Sequence, residues 1–332
     1  MVVMALMRTI EQLAEGDTAE FVVASASELE LVRRWCEKTG NTLVSTLMVE
    51  QDSGQVTVGR GRPRNPATMI PADRMPGARL WLYTNFHCNL ACDYCCVASS
   101  PKTDPRLLGI ETIQALVTEA AEWGVQELYL TGGEPFLLPN IDDIVQSCVD
   151  RLPTTLLTNG MLFRGQGLRK LRAMPREGFA LQISVDSPTA EVHDSHRGAG
   201  SWVRALAGIR VALAEGFTVR VAATISAHDD PALDELHALF DSLGIPRADQ
   251  VIRPIALQGV ADEGVVFSRE SLIPEVTVTA EGIYWHPVAA LDENALVSRQ
   301  VLPLGPSLDR VQELFAEQWS SVTAATSMFA CA

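Results

Sequence analysis

Three cysteines constrain this chain more than anything else in it. Cys88, Cys92 and Cys95 recur at a C-x3-C-x2-C spacing within His87-Cys88-Asn89-Leu90-Ala91-Cys92-Asp93-Tyr94-Cys95-Cys96, directly after a strand-like apolar run at 80–86. Thiolates are soft ligands that suit iron–sulfur clusters, zinc or copper(I), and a tight loop of this kind holds a cluster corner by corner. The number three is informative. A structural zinc or an electron-transfer cluster closes its site with a fourth protein ligand, whereas an iron left without one keeps a position for a small molecule. The competing reading is a zinc knuckle completed by Cys96 or His87, or an accidental group of cysteines. Cys96, adjacent to Cys95, is poorly placed to close a tetrahedron.

From residue 79 the pattern is strand then helix, repeated, which argues for parallel strands with crossover helices. Strands are expected at 80–86, 127–131, 154–158, 180–185, 218–225 and 249–255, with helices at 111–123, 202–215 and 231–243. Each of these helices stops at a glycine: Gly124, Gly216 and Gly244. Polar and glycine motifs stand at the strand ends: Gly132-Gly133-Glu134-Pro135, Thr158-Asn159-Gly160 and Ser184-Val185-Asp186.

The cysteine spacing, the aromatic Tyr94 before the last cysteine and the Gly-Gly-Glu-Pro after the next strand closely resemble the radical S-adenosylmethionine (SAM) superfamily. The resemblance covers about residues 79–257 and follows the branch of molybdopterin, PQQ-pathway and peptide-modifying enzymes. It implies an α/β fold with a partial (β/α)6 barrel. It also implies a [4Fe-4S] cluster on Cys88, Cys92 and Cys95, with SAM chelated at the open iron and cleaved to a 5′-deoxyadenosyl radical that attacks a substrate C–H bond. Gly132, Gly133 and Glu134 would meet the methionine ammonium, Ser184 would contact SAM, and Tyr94 would pack near the adenine. His193-Asp194-Ser195-His196-Arg197-Gly198 matches the family's His-Asp-x-x-Arg-Gly segment, whose Arg197 would pair with the methionine carboxylate. Thr158 is a further candidate for substrate or SAM contact. Asp186 is read either as facing the same side as Ser184 or as a turn cap. An electron donor such as flavodoxin or ferredoxin and a peptide or small-molecule substrate are the implied partners.

Residues 1–60 read as a small α+β two-layer domain: helix 4–14, strand 19–24, helix 27–38, strands 42–50 and 56–59. Ser27 with Glu30 is a capping-box pattern, and Asp52-Ser53-Gly54 is a hairpin turn. Arg34-Trp35-Cys36-Glu37-Lys38-Thr39-Gly40 before a strand and hairpin resembles TusA-like sulfur-carrier domains. Those carriers hold sulfur on a Cys-Pro-x-Pro cysteine at the start of the first helix, and Met1 falls inside the place where that motif should lie. Cys36 is therefore read as a buried small hydrophobe, and a sulfur-carrier protein as a partner. Residues 61–78 read as a proline- and arginine-rich linker.

After residue 257 a C-terminal hairpin-plus-helix extension is expected, with strands at 275–280 and 283–288 and a helix at 308–319. Many relatives carry auxiliary clusters here, but Tyr284-Trp285-His286 stands in the hairpin without cysteine, and His286 reads as packing. In the tail, Met328 and Phe329 favour docking, and Cys331 is a candidate catalytic thiol for hydrogen-atom donation or ligation in the cavity. The alternative is a frayed end.

With 332 residues, 47% of them hydrophobic, the chain is long enough for more than one domain and a sizeable core. A net charge of -15 disfavours nucleic acid as the main partner. Seven cysteines, odd in number and scattered outside the motif, are not a disulfide framework. No apolar run reaches about 18 residues, and the start lacks a secretory signal's pattern. A cytoplasmic, reducing location and no membrane association are expected. Two functions stay open: a radical SAM enzyme, in sulfur-related chemistry or peptide or small-molecule modification, and a non-enzymatic iron–sulfur or zinc module docking a partner through residues 1–60.

Overall fold

The computed structural model describes residues 6, 9, 10, 12–48, 53–61, 70–226 and 232–321. Asp52, residues 62–69 of the expected linker, Pro231 and the tail bearing Cys331 lie outside them. The chain divides into two compact units, one of Met1–Met75 with the second half of the last helix, the other Pro76–Gln312.

In the first unit, Leu6, Thr9 and Ile10 are helical and Gln12 already turns, so the expected helix stops short of residue 14. There follow β1 (Thr18–Val23), α1 (Ala26–Thr39), β2 (Thr42–Met48) and β3 (Gly54–Gly59), with the strands in the order β1-β3-β2, antiparallel throughout. The helix cap is Ser25 rather than Ser27. Its hydroxyl accepts from Glu28 N at 3.2 Å while the Glu28 carboxylate accepts from Ala24 N, one residue before the cap, at 2.8 Å, so the cap sits two residues earlier than expected. Gly40, at φ +76°, ends the helix. Val23, Val32, Trp35, Val56 and Val58 form the core. Cys36 belongs to it at 3% exposure, and burial pushes its thiol up to about 11, as suits a packing residue.

The second unit is built on β4 (Arg79–Tyr83), α2 (Ile110–Trp123), β5 (Glu127–Thr131), α3 (Ile141–Val149), β6 (Thr154–Thr158), α4 (Gln166–Ala173), β7 (Phe179–Ser184), α5 (Ala190–Arg197), α6 (Ser201–Ala214), β8 (Thr218–Ile225), α7 (Leu233–Ser242) and β9 (Gln250–Pro254). Strands β4 to β9 lie side by side in sequence order, all parallel. This is the (β/α)6 arrangement, and it brings every strand's C-terminal end to one rim. The inner strands are nearly continuous apolar runs because helices cover them, as in β4, where every residue is buried.

The C-terminal hairpin is present but not separate. Strands β10 (Thr277–Thr279), β11 (Gly282–Tyr284) and β12 (Leu296–Ser298) extend the same sheet, and β10 runs parallel to β4. Two bonds from Trp81 fix this junction: its backbone N–H donates to Val276 O at 2.8 Å and its indole N–H to Glu275 Oε2 at 2.6 Å. The sheet thus gains a seventh parallel strand on the side of β4. The chain then enters α8 (Gly305–Ser321). Among the described residues no helix is long and apolar enough to cross a membrane.

One helix packs backbone to backbone against the rim. A Cβ at Gly208, inside α6, would lie 2.1 Å from the carbonyl oxygen of Gly160, the turn that follows β6. Helix propensity alone says that Gly208→Ala gains about 1 kcal/mol. The contact predicts a loss of about 1–3 kcal/mol from overpacking instead, measured by urea unfolding; a stabilised variant would mean that α6 is not seated on this turn.

Candidate cluster site at the barrel rim

Cys88, Cys92 and Cys95 line one cavity of about 190 Å³ at the rim. Tyr94, Gly132, Gly133, Thr158, Ser184 and Arg197 line the same cavity, so the structure brings together residues spread over more than a hundred positions. Backbone N–H groups are aimed at two of the sulfurs: Leu90 N at 3.4 Å from Cys88 Sγ and Ser99 N at 3.3 Å from Cys95 Sγ. Such donors favour a thiolate and tune a cluster bound to it. Burial, the largest cause, together with neighbouring negative charge pushes Cys88 up to about 12 and Cys92, against the opposing Arg197 charge, to about 11, the state a metal must overcome by displacing the protons.

A single zinc needs its thiolates to converge on one point at about 2.3 Å. Among the described residues, no three His, Cys, Asp or Glu side chains do so. Ligands on separate corners of a cluster need no common point, and three thiols on one cavity wall are a donor set that could hold an iron–sulfur cluster. Cys96 also reaches the cavity wall, and it packs, as Cys95 does, against Tyr83, Phe86, Val97 and Ala290.

The cysteine loop is held by the double-glycine loop beside it. Gly133 N donates to Asn85 O at 2.9 Å and Glu134 N to His87 O at 3.0 Å. A Cβ at Gly132 would stand 2.4 Å from Asn85 O and one at Gly133 only 2.1 Å from His87 O, so no larger residue fits either position without displacing backbone. The Glu134 side chain turns away from the cavity and is fully buried. Its carboxylate accepts from Phe136 N at 2.9 Å, Thr158 Oγ1 at 2.8 Å and Asn159 N at 2.8 Å, and burial raises its pKa against those three donors. Glu134 and Thr158 thus join the β5 and β6 rims to each other. Asn159 Nδ2 continues the chain of bonds to Asn89 Oδ1, inside the cysteine loop, at 2.8 Å. Sequence reasoning passed over Asn85, Asn89 and Asn159, because an asparagine at a strand end reads first as a turn residue.

Asp186 is the other fixed point, and it does not cap a local turn. Its carboxylate accepts from Arg197 Nε at 2.5 Å and Nη2 at 3.1 Å, from the Tyr94 hydroxyl at 2.5 Å and from Thr224 N at 3.0 Å. Burial alone would raise this carboxyl, but the Arg197 guanidinium overrides burial and holds it low. Arg197 and Tyr94, expected against SAM by resemblance, are therefore both tied to Asp186. Each still presents part of its side chain to the cavity. Ser184 lies half-buried at the end of β7, on the cavity wall.

The His-Asp-x-x-Arg-Gly segment thereby acquires a physical account. His193 Nδ1 accepts from Asp186 N at 3.1 Å. Asp194 accepts from Gly200 N, Ser201 Oγ and Trp202 N at the start of α6, Arg197 grips the Asp186 carboxylate, and Gly198 at φ +102° releases the chain from α5.

Burial lowers His193 to about 4, with the Asp186 charge opposing the shift and Arg197 adding to it. Its Nδ1 is an acceptor only while the ring is neutral. The unfolded chain takes up this proton near pH 6.5, the folded chain only near 4. Stability is therefore full above pH 6.5 and is lost as pH falls towards 4, by about 3 kcal/mol. His193→Asn, which keeps an acceptor without a titrating ring, is predicted to flatten the fall in unfolding free energy between pH 6.5 and 4.5. An unchanged slope in that variant would show that His193 is not the group responsible.

Comparison with known proteins agrees with this geometry. The family model described as the radical SAM superfamily matches residues 82–243. The mycofactocin maturase MftC of Mycobacterium ulcerans is 31% identical over 171 residues, 51% of this chain and 46% of that one. The AdoMet-dependent heme synthase of Methanosarcina barkeri is 32% identical over 178 residues, 53% of this chain and 50% of that one. The chain thus spans about half the length of these relatives. Among solved structures, native anSMEcpe with bound AdoMet and Kp18Cys peptide shares the fold, with a TM-score of 0.55 over 73% of this chain and 83% of that one, at 12% identity. The segment that matches the radical SAM superfamily model, residues 82–243, contains the three-cysteine cavity at the rim of the parallel sheet.

Proposed function

We propose that the protein is a radical SAM enzyme, with a [4Fe-4S] cluster on Cys88, Cys92 and Cys95 and SAM in the adjoining cavity. The observation that carries this reading is the single cavity shared by the three thiols, the double-glycine loop, Ser184 and Arg197. When bound, the pair supplies one-electron cleavage of SAM and a 5′-deoxyadenosyl radical able to take a hydrogen atom from an unreactive carbon.

In this reading the chain's own residues hold, orient and enclose. Cys88, Cys92 and Cys95 would hold the cluster through their thiolates, and with only three protein ligands it would keep a position for SAM. Gly132 and Gly133 offer a backbone surface without side chains, against which the methionine end of SAM approaches closely. Arg197, oriented by Asp186, and Ser184 supply charge and hydroxyl to the SAM carboxylate and ribose. Tyr94 gives an aromatic wall for the adenine, and Thr158 stands at the same rim. Glu134 acts through the loop that it anchors. Trp81, Leu157 and Val288 add apolar surface to a wall that also carries Thr131, Asn159, Thr224 and Arg253.

The substrate in this proposal is a C–H bond of a peptide or small molecule. A peptide is favoured by the maturase among the relatives and by the peptide bound in the anSMEcpe structure. We place the electron donor among flavodoxins and ferredoxins. Residues 1–60 are proposed as a TusA-like docking domain that engages a sulfur-carrier protein or the substrate, since Cys36 is buried in its core.

The test is anaerobic reconstitution with iron and sulfide, then SAM and dithionite, with 5′-deoxyadenosine measured by chromatography. Wild type should form it, and Cys88→Ala, Cys92→Ala and Cys95→Ala should each lose it by at least a hundredfold. Cys96→Ala should keep the cluster's absorbance and the product. Product from Cys92→Ala at the wild-type rate would overturn the assignment.

A further inference from the structure

Of the ten large apolar side chains that stand exposed among the described residues, four fall within one ten-residue stretch after β9: Leu257, Val260, Val265 and Val266, the last 76% exposed. Isolated exposed apolar residues need no explanation, but a concentration of them on one loop does. This loop is not loose. Leu257 N donates to Val265 O at 2.9 Å and Val265 N to Ile255 O at 2.8 Å, which closes the stretch on itself beside β9. Val260 N donates to Cys95 O at 3.2 Å. Gly259, at φ +64°, packs so closely on the cysteine loop that a Cβ there would lie 2.2 Å from Cys95 O. The valines are therefore held outward by an ordered backbone that is tied to the cluster loop.

The same stretch forms one lip of a second cavity, of about 690 Å³, which adjoins the cluster cavity through Tyr94, Arg253 and Pro254. Carboxylates mark its rim: Asp262 and Glu263 from the lip, both exposed, and Asp93 from the cysteine loop. Against these three carboxylates the cavity sets one permanent cation, Arg253, whose Nε donates to the uncharged Thr224 Oγ1 at 3.3 Å, while His196 Nδ1 lies 3.0 Å from Asp93, so negative charge is in excess at the lip. An apolar, pre-ordered lip with unbalanced negative charge, opening towards a reactive site, suits an incoming chain that carries apolar side chains beside a cation.

We propose that residues 257–266 are the docking lip for a peptide substrate in which a lysine or arginine is flanked by aliphatic residues. The basic side chain meets Asp262 and Glu263, the aliphatic ones cover Val265 and Val266, and the peptide leads over Tyr94 to the cluster cavity. The ordered backbone spares the entropy that a mobile loop loses on binding, and the charge adds selectivity and salt-sensitive association. This inference deepens the proposed function and rests on it for the identity of the neighbouring site.

The test uses the full chain, reconstituted anaerobically with SAM, and two fluorescent blocked peptides, Gly-Leu-Lys-Val-Gly and Gly-Leu-Glu-Val-Gly, in fluorescence anisotropy. The lysine peptide should bind at least tenfold more tightly than the glutamate peptide. The double variant Val265→Ser, Val266→Ser should weaken it at least fivefold, and Asp262→Lys with Glu263→Lys should reverse the preference. Each variant's unfolding midpoint is checked against wild type; because both pairs are exposed, they should unfold within a few degrees of it. Absence of binding at millimolar peptide, equal affinity for the two peptides, or binding unaffected by both double variants would overturn the proposal. So would sedimentation showing a wild-type dimer that the serine variant dissociates, since the lip would then be a self-association surface. Failure of wild type to cleave SAM would sink the functional reading instead, while the anisotropy result would still decide the lip.

Discussion

The ion pair between Arg197 and Asp186 is the interaction on which the rim depends. Both groups are almost fully buried, at 9% and 2% side-chain exposure. A buried pair is tolerable only when its geometry is good and its other lone pairs are satisfied. Here the carboxylate accepts four hydrogen bonds, from the guanidinium fork, the Tyr94 hydroxyl and the Thr224 amide, so the ionised form is well compensated. Those donors come from α5, the cysteine loop and the end of β8. One charge pair therefore fixes three elements around the same cavity.

The cysteine loop has a second attachment of a different kind. On its other side the double-glycine loop meets it through backbone bonds and one from Asn85 Nδ2 to Glu134 O at 3.2 Å, with glycines where any side chain would collide with Asn85 or His87. Glu134, Thr158, Asn159 and Asn89 then carry hydrogen bonds across the β5 and β6 rims back into the loop. Pre-ordering of this kind matters for a cluster site, because ligands held in place before metal arrives lose less freedom on binding it. It also explains why a short, polar, glycine-flanked segment can be held so firmly at the edge of a sheet.

Much of this was legible in the sequence because the signals were local. The strand at 127–131, the helices ended by Gly124 and Gly216, and the cysteine spacing all depend on neighbours a few residues apart. The sharing of Asp186 was not legible, since Tyr94 lies 92 residues from it and Thr224 lies 38 away, and no periodicity links them. The resemblance placed Tyr94 and Arg197 beside a ligand. The structure adds what holds them there, which a family motif does not state. The joining of β10 to β4 was hidden for another reason: a three-residue strand shows too little alternation to reveal its partner, and the Trp81–Glu275 bond spans 194 residues. The shifted cap at α1 is a smaller case, in which Ser25 and Ser27 are both cap residues by type and the helix starts after the first of them.

The central claim is that Cys88, Cys92 and Cys95 would hold a [4Fe-4S] cluster and that SAM would bind it in the cavity that Gly132 and Gly133 also line. Electron paramagnetic resonance of the dithionite-reduced, anaerobically reconstituted protein, recorded with and without SAM, tests this most directly. The account predicts about four irons per chain, one for each corner of a single cubane, and a reduced-cluster signal whose g-values shift when SAM is added. A signal of the same shape with and without SAM, or a protein that holds one zinc and no iron, would contradict it.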